Sequence, residues 1–531
     1  MLKKLSILVA VTITMLALSV CVSAAPVTAP GGEVGSYAEL ITALGGDKHV
    51  SLKTLPDGKT ECVVIYDDIE LSSPVRITSG SYVIYGAGAT VTCSFESGSF
   101  FEVTGKDTSL IIGNPEGSKS TDTVFNGKNE SRSGSFVLVG EGASLAVYPG
   151  TVMKDTVTTA SGGAIHNEGS LVVYGGEFSG CRAVTSGGAF YNDGDMVLSS
   201  GKVMSCSSGL GGGLYNNKKA TLIGISFSEC VSDKGGAVYN CAEMKFASSS
   251  VTSSKAGQGA GVYNSGECEF LGGSITGCVA ENGDGGAVYN CGTLTLTAGY
   301  LDGNSARYGG NVYNEAEMTT ENNATLSGGK AETGGNIYNA VNGHTVFNGG
   351  SISLGKATYG GGVFNVGSID LQGSNIMSNK ADVGGGFFNG GRVVMTKNGY
   401  VDPTNDFFVL LSEDNSHALH IGEGWVYDRQ IIKLSCGVAV DDGYVYKESV
   451  GDVLIVTDNE YYVGERFETY HKNGLAISDD GTLVKAAPDL SLLWYILGGI
   501  VAFAAVVTAI VIPVRYFDKK KTSTVSADDY F

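Results

Sequence analysis

One hexapeptide returns ten times in register, and that recurrence limits the chain more than any other feature. Gly162-Gly163-Ala164-Ile165-His166-Asn167 is followed by counterparts at 187–192, 211–216, 235–240, 259–264, 285–290, 309–314, 334–339, 360–365 and 384–389. The terminal residue is always Asn: Asn167, Asn192, Asn216, Asn240, Asn264, Asn290, Asn314, Asn339, Asn365 and Asn389. Their separations are 25, 24, 24, 24, 26, 24, 25, 26 and 24 residues. A unit of this size cannot enclose its own core, so it must stack on its neighbours. For 531 residues, a count of several separate globular domains therefore gives way to one repeated architecture.

Within each unit the apolar pattern has a period of two. The fourth position is always apolar (Ile165, Phe190, Leu214, Val238, Val262, Val288, Val312, Ile337, Val363, Phe387), with a small residue before it and a ring after it. This reads as a short half-buried strand. A second strand follows, as in Thr293-Leu294-Thr295-Leu296, and then a third apolar position before a turn residue, as in Phe178 before Cys181 or Ile376 before Asn379. Three short strands per 24 residues predict an all-β fold, a right-handed parallel β-helix solenoid whose coils lie ~4.8 Å apart. The composition agrees: 79 Gly supply tight corners, and only 9 Pro interrupt a ladder that needs every N–H. A leucine-rich repeat has a similar period, but its Leu-x-x-Leu-x-Leu signature is missing.

The two ends read differently. Residues 1–24 carry Lys3 and Lys4, an apolar run and the small-residue sequence Val22-Ser23-Ala24, the pattern of a secretory signal peptide. Residues 25–160 are assigned to an N-terminal cap and irregular coils, with Ser36–Leu44 as a short capping helix N-capped by Ser36. The regular repeats occupy 161–398, and a membrane-proximal β region 399–489. The segment 490–514 contains 23 uncharged residues, Leu492 to Val514, followed by Arg515 and Lys519–Lys521. It predicts one transmembrane helix with a cytoplasmic tail at 515–531, and hence a single-pass type I protein of the cell membrane with an extracellular ectodomain.

A formal charge of −20 excludes nucleic acid as a natural partner. Eleven Cys are dispersed with no C-x-x-C pair and no zinc spacing, so neither a metal nor another cofactor is expected. Cys181, Cys206 and Cys230 fall in successive coils, where parallel Cβ directions favour free thiols as small apolar fillers over a strained disulfide.

The Gly-Gly-Ala-Val-Tyr-Asn units, with Leu301-Asp302-Gly303-Asn304 and Ile376-Met377-Ser378-Asn379 before them, resemble the G-G-A-[ILV] and F-x-x-N motifs of polymorphic outer-membrane proteins and adhesin-like β-helix proteins. The resemblance covers roughly 160–395, and similarity to pectin-lyase-like solenoids extends it toward residue 35. It implies surface display and adhesion. Cys in place of Asn in several third-strand turns, and the absence of a terminal autotransporter barrel, depart from that pattern.

The ring column Tyr191, Tyr215, Tyr239, Tyr263, Tyr289, Tyr313 and Tyr338 is the candidate ligand-contact stripe, for host or microbial glycans or surface proteins. The alternative is a stack that stabilises the ladder. The ten Asn read as a structural ladder in which each amide bonds to its counterparts above and below. No catalytic residue is assigned. A polysaccharide-active lyase or glycoside hydrolase would need convergent carboxylates, whereas Glu168, Asp193 and Glu315 are the only acids directly after a ladder Asn. The function expected is an adhesin-like interaction protein without catalysis; a polysaccharide-active enzyme and a purely structural stalk are the alternatives.

Overall fold

In a computed structural model of the chain, residues 26–116, 123–426, 431–457, 466–487, 501, 502 and 505 are described. They form a parallel β-solenoid of the right-handed type with about 15 turns, a rod roughly 70 Å long at ~4.8 Å per turn.

Three parallel ladders run along it. The first starts at Gly32–Val34, Val75–Ile77, Phe101–Val103 and Val137–Val139 and passes through the ten hexapeptide strands from Ile165–Asn167 to Phe387–Asn389. It continues through Asp406–Leu410, Ile432–Val440 and Phe467–Thr469, so the ladder does not stop where the repeat fades at 398. The second ladder holds strands such as Ser170–Val173 and Ser368–Leu371, and the third holds Glu177–Ser179 and Asn375–Met377. Like positions face each other from repeat to repeat: Tyr191 faces Tyr215, Leu171 faces Met196 and Phe178 faces Val203, with one register shift at Leu296–Ala298 between the second and third ladders.

Alternation along each strand sets the core. All ten fourth-position residues are buried, and Phe178, Phe227, Phe246 and Phe347 from the other two ladders fill the interior with them. Each unit thus buries apolar faces that it could not cover alone, which couples every coil to its neighbours.

The helical parts of the expected fold need correction. Among the described residues the one helix with both ends described is Tyr37–Ala43, only seven residues long. Ser36 Oγ accepts from the Glu39 N–H at 3.3 Å, and Leu40 and Ala43 are buried. The helix does not close the N-terminal end by itself, because the antiparallel hairpin Val50–Thr54 with Glu61–Ile65 lies in the same part of the solenoid and covers the outward side chains of Val83 and Ile111. No helix among the described residues is long and apolar enough to cross a membrane. The transmembrane helix at 490–514, and with it the single-pass type I placement, is therefore withdrawn; of that segment only Val501, Ala502 and Ala505 are described. The signal peptide at 1–24 and the tail at 515–531 lie outside the described residues.

Candidate functional site

The hexapeptide is a corner followed by a strand. Its first Gly has φ between 58° and 75° in all ten copies, a left-handed backbone that a residue with Cβ adopts only under strain. At Gly235 a Cβ would also lie 2.3 Å from the Val238 carbonyl oxygen. The corner turns the chain sharply enough to start the strand at position four and to bring the Asn of position six inside.

There the ten Asn side chains are wholly buried and form one continuous file. Asn167 Nδ2 donates to Asn192 Oδ1 at 2.7 Å, and the same bond repeats at 2.8–2.9 Å through Asn216, Asn240, Asn264, Asn290, Asn314, Asn339 and Asn365 to Asn389. Each interior amide also donates to backbone carbonyls; Asn240 does so to Ala242 and Glu267. The file ends where Asn389 donates to the His417 carbonyl, and it starts at Asn167, whose register neighbour in the previous coil is Val139.

A second buried Asn chain lies near the third-ladder turn and escapes the hexapeptide reading. Asn304 donates to Asn311 Oδ1 at 2.8 Å, Asn311 to Asn336 at 2.7 Å and Asn336 to Asn379 at 3.1 Å. Asn311 and Asn336 occupy hexapeptide position three, otherwise Ala or Gly. The turn residues of these coils, Gly329 and Gly355, have no side chain; Asn336 accepts from the Gly329 N–H and Asn379 from the Gly355 N–H. The available signal was the coincidence of Asn at position three with Gly at the turn. In earlier coils the turn column holds Cys181, Cys206, Cys230 and Cys278, all buried and free. Burial pushes the Cys206 and Cys230 thiols well up and that of Cys278 up to about 12, so they pack as neutral side chains.

The tyrosines stack on one another. Ring centroids from Tyr191 to Tyr338 are 4.7–5.4 Å apart, with interplanar angles of 3–18°. The column continues through Phe364, Phe388 and Phe408. Ring faces are therefore occupied by neighbouring rings; Tyr263 and Tyr289 are buried, and the other five tyrosines keep only part of their edges toward solvent. Several hydroxyls are engaged too: Tyr289 donates to Glu315 at 2.5 Å, while Cys241 and Cys291 donate to Tyr215 and Tyr263. Burial, then the Glu315 hydrogen bond and charge, raises the Tyr289 hydroxyl.

Toward the C-terminus the aromatic column is covered. The antiparallel hairpin formed by Ile432–Val440 and Gly443–Tyr446 places Tyr444 4.6 Å from Phe388 and Tyr446 5.5 Å from Phe408. It is pinned through buried Asp406, which accepts from Ser435 Oγ at 2.9 Å, Tyr446 OH at 3.0 Å and the Gly385 N–H at 2.5 Å.

The acids after the ladder Asn do not converge. Glu168 lies 3.4 Å from His166, Asp193 accepts from Asn217 at 3.0 Å and Glu315 accepts from Tyr289. An open groove of ≈ 550 Å³ crosses four coils at the corner lined by Pro149, Gly175, Glu177, Ser200, Lys202 and Ser226, with one carboxylate among these six. Among the described residues no group of three or more His, Cys, Asp or Glu is placed to hold a metal ion.

Compared with protein-family models, curated proteins and solved structures, the chain finds no match.

Proposed function

We propose that the chain is an adhesin-like interaction protein, a rigid solenoid that presents columns of side chains to a partner and carries out no catalysis. The observation that supports this most is the unbroken register of the first ladder along a solenoid of about 15 turns. Each outward position is thereby repeated at a fixed spacing along a rod whose interior is closed by its own side chains. The dispersal of Glu168, Asp193 and Glu315, each tied to its own local partner, favours binding over a polysaccharide-cleaving site, which needs two carboxylates at a set separation.

The tyrosine stripe is better read as part of the scaffold. Stacked rings offer a ligand their edges, whereas a sugar packs on a ring face, and any partner must reach the stripe between Glu315, Cys241 and Cys291. A screen of the full chain on immobilised glycans and extracellular-matrix proteins tests the proposal: retention of at least one ligand supports it, and retention of none leaves a purely structural stalk.

A further inference from the structure

Charges that face each other across coils are mostly matched. Lys219 meets Glu243 at 3.8 Å, Lys245 meets Glu269 at 3.0 Å, Lys255 meets Glu281 at 3.7 Å and Arg307 meets Glu332 at 3.2 Å. Where two acids fall in register, Glu243 beside Glu267, Lys219 on the other side of Glu243 relieves them.

One column breaks the pattern. At the corner after the third ladder, Lys330 bridges to Lys356 and Lys356 to Lys380 in parallel register, which puts three lysines on consecutive coils ~4.8 Å apart at the backbone. All three are exposed, and among the described residues none of them forms an ion pair, unlike Lys219, Lys245 and Lys255. Like charges directly opposite on adjacent strands are unfavourable. Packing does not require them, since the same column holds Ser207, Val231, Val279 and Ser305 in earlier coils, alongside Arg182 and the ion-paired Lys255. Two acids follow at short range: Glu332, already held by Arg307, and exposed Asp382. The column therefore keeps a local excess of positive charge in a chain with a net charge of −20.

We propose that Lys330, Lys356 and Lys380 bind a linear sulfated polysaccharide laid along the solenoid axis. This rests on reading the chain as an interaction protein and names its partner class. The net negative charge does not prevent it, because charges beyond ~8 Å are largely screened at physiological ionic strength. What it does select is a ligand dense enough in charge to gain from releasing condensed counterions. That requirement favours a sulfated chain over one carrying carboxylates alone, and over a neutral one. The lysines repeat along the rod axis, so an extended polymer engages all three while a compact anion meets one.

The test is binding of the full chain to immobilised heparin, compared with hyaluronate, neutral dextran and single-stranded DNA. The variant Lys330→Gln/Lys356→Gln/Lys380→Gln is set against Lys202→Gln/Lys219→Gln/Lys245→Gln, which removes the same charge from other columns. The expected result is a loss of about tenfold or more in heparin affinity for the first variant and less than about twofold for the second. For wild type, raising salt from about 50 to about 200 mM lowers affinity roughly 20-fold, as three neutralised charges imply. An unchanged melting midpoint for the first variant shows that the loss is not unfolding. Equal loss in both variants, equal affinity for hyaluronate, tighter binding to DNA or no binding to heparin overturns the proposal. Should heparin fail while another glycan or a protein is retained, the sulfated-ligand assignment falls and the interaction reading stands; retention of nothing defeats both.

Discussion

Asn167 donates its side-chain amide to Asn192 Oδ1 at 2.7 Å, yet its own Oδ1, equally buried, has no hydrogen-bond partner. The pair marks the start of a directional file: every later Asn both gives and receives, while the first only gives. An amide removed from the middle leaves the next Asn Oδ1 without its donor, while the amide before it keeps its backbone carbonyls; one removed at the start also takes away an Oδ1 that has no partner. Asn240→Ala is expected to cost more than Asn167→Ala, whose loss is offset by removal of a buried unpaired acceptor worth about 1–3 kcal/mol. Denaturant titration of the two variants checks the order; equal losses contradict a directional file.

The corner glycines differ in how replaceable they are. Gly235 has φ +67° and its Cβ would meet the Val238 carbonyl, while Gly373, at the corner between the second and third ladders, lies outside the left-handed region and its Cβ would come no closer than 3.4 Å to the Asn348 carbonyl oxygen. Gly235→Ala should destabilise by about 1–3 kcal/mol for the backbone strain alone, and Gly373→Ala by less. Melting curves showing the reverse order would remove the corner's left-handed conformation as the reason for the repeat.

Much of this was legible in the sequence because it repeats. The inward fourth position, the Asn file and the ring column each follow from period-two alternation multiplied ten times. The Asn304–Asn311–Asn336–Asn379 chain was hidden because it draws on two columns of the repeat, and only folding brings position three beside the turn. The covering of Phe388 and Phe408 by Tyr444 and Tyr446 was hidden for another reason: the hairpin belongs to no repeat, so no period announces it. At 490–514 the length of the uncharged run and its basic flank predict a membrane span, whereas no helix among the described residues is long and apolar enough to cross one.

The tyrosine column is expected to act through packing. Tyr289→Phe keeps the stack and loses one hydrogen bond to Glu315, so it should cost about 0.5–3 kcal/mol, the range for a bond to a charged or neutral acceptor. Tyr289→Ser removes a ring between two rings 4.9 Å away on either side and should cost more. Thermal melts establish the order, and a parallel binding assay separates scaffold from ligand contact: equal stability with lost binding in Tyr289→Ser would restore the stripe as a ligand site.

His344 sits between two carboxylates, 2.8 Å from Glu317 and 3.5 Å from Asp370. Burial alone would lower its pKa, but the hydrogen bond and charge of Glu317, followed by those of Asp370, outweigh it and leave the pKa raised. A folded pKa above the unfolded one adds stability that is fully present below the unfolded value of about 6.5 and is lost as pH rises through the folded value. His344→Gln should therefore lower the melting midpoint at about pH 5.5 and leave it unchanged at about pH 9. A difference of the same size at both pH values contradicts a charged His344.

Binding without turnover is the core of the functional account, and the length of a bound polysaccharide tests it most directly. After prolonged incubation with the full chain, a polysaccharide retained by the solenoid should be recovered at its original chain length, as measured by size-exclusion chromatography with mass detection. Recovery of shortened chains, absent when the protein is omitted, would contradict the account and place an enzyme on this scaffold.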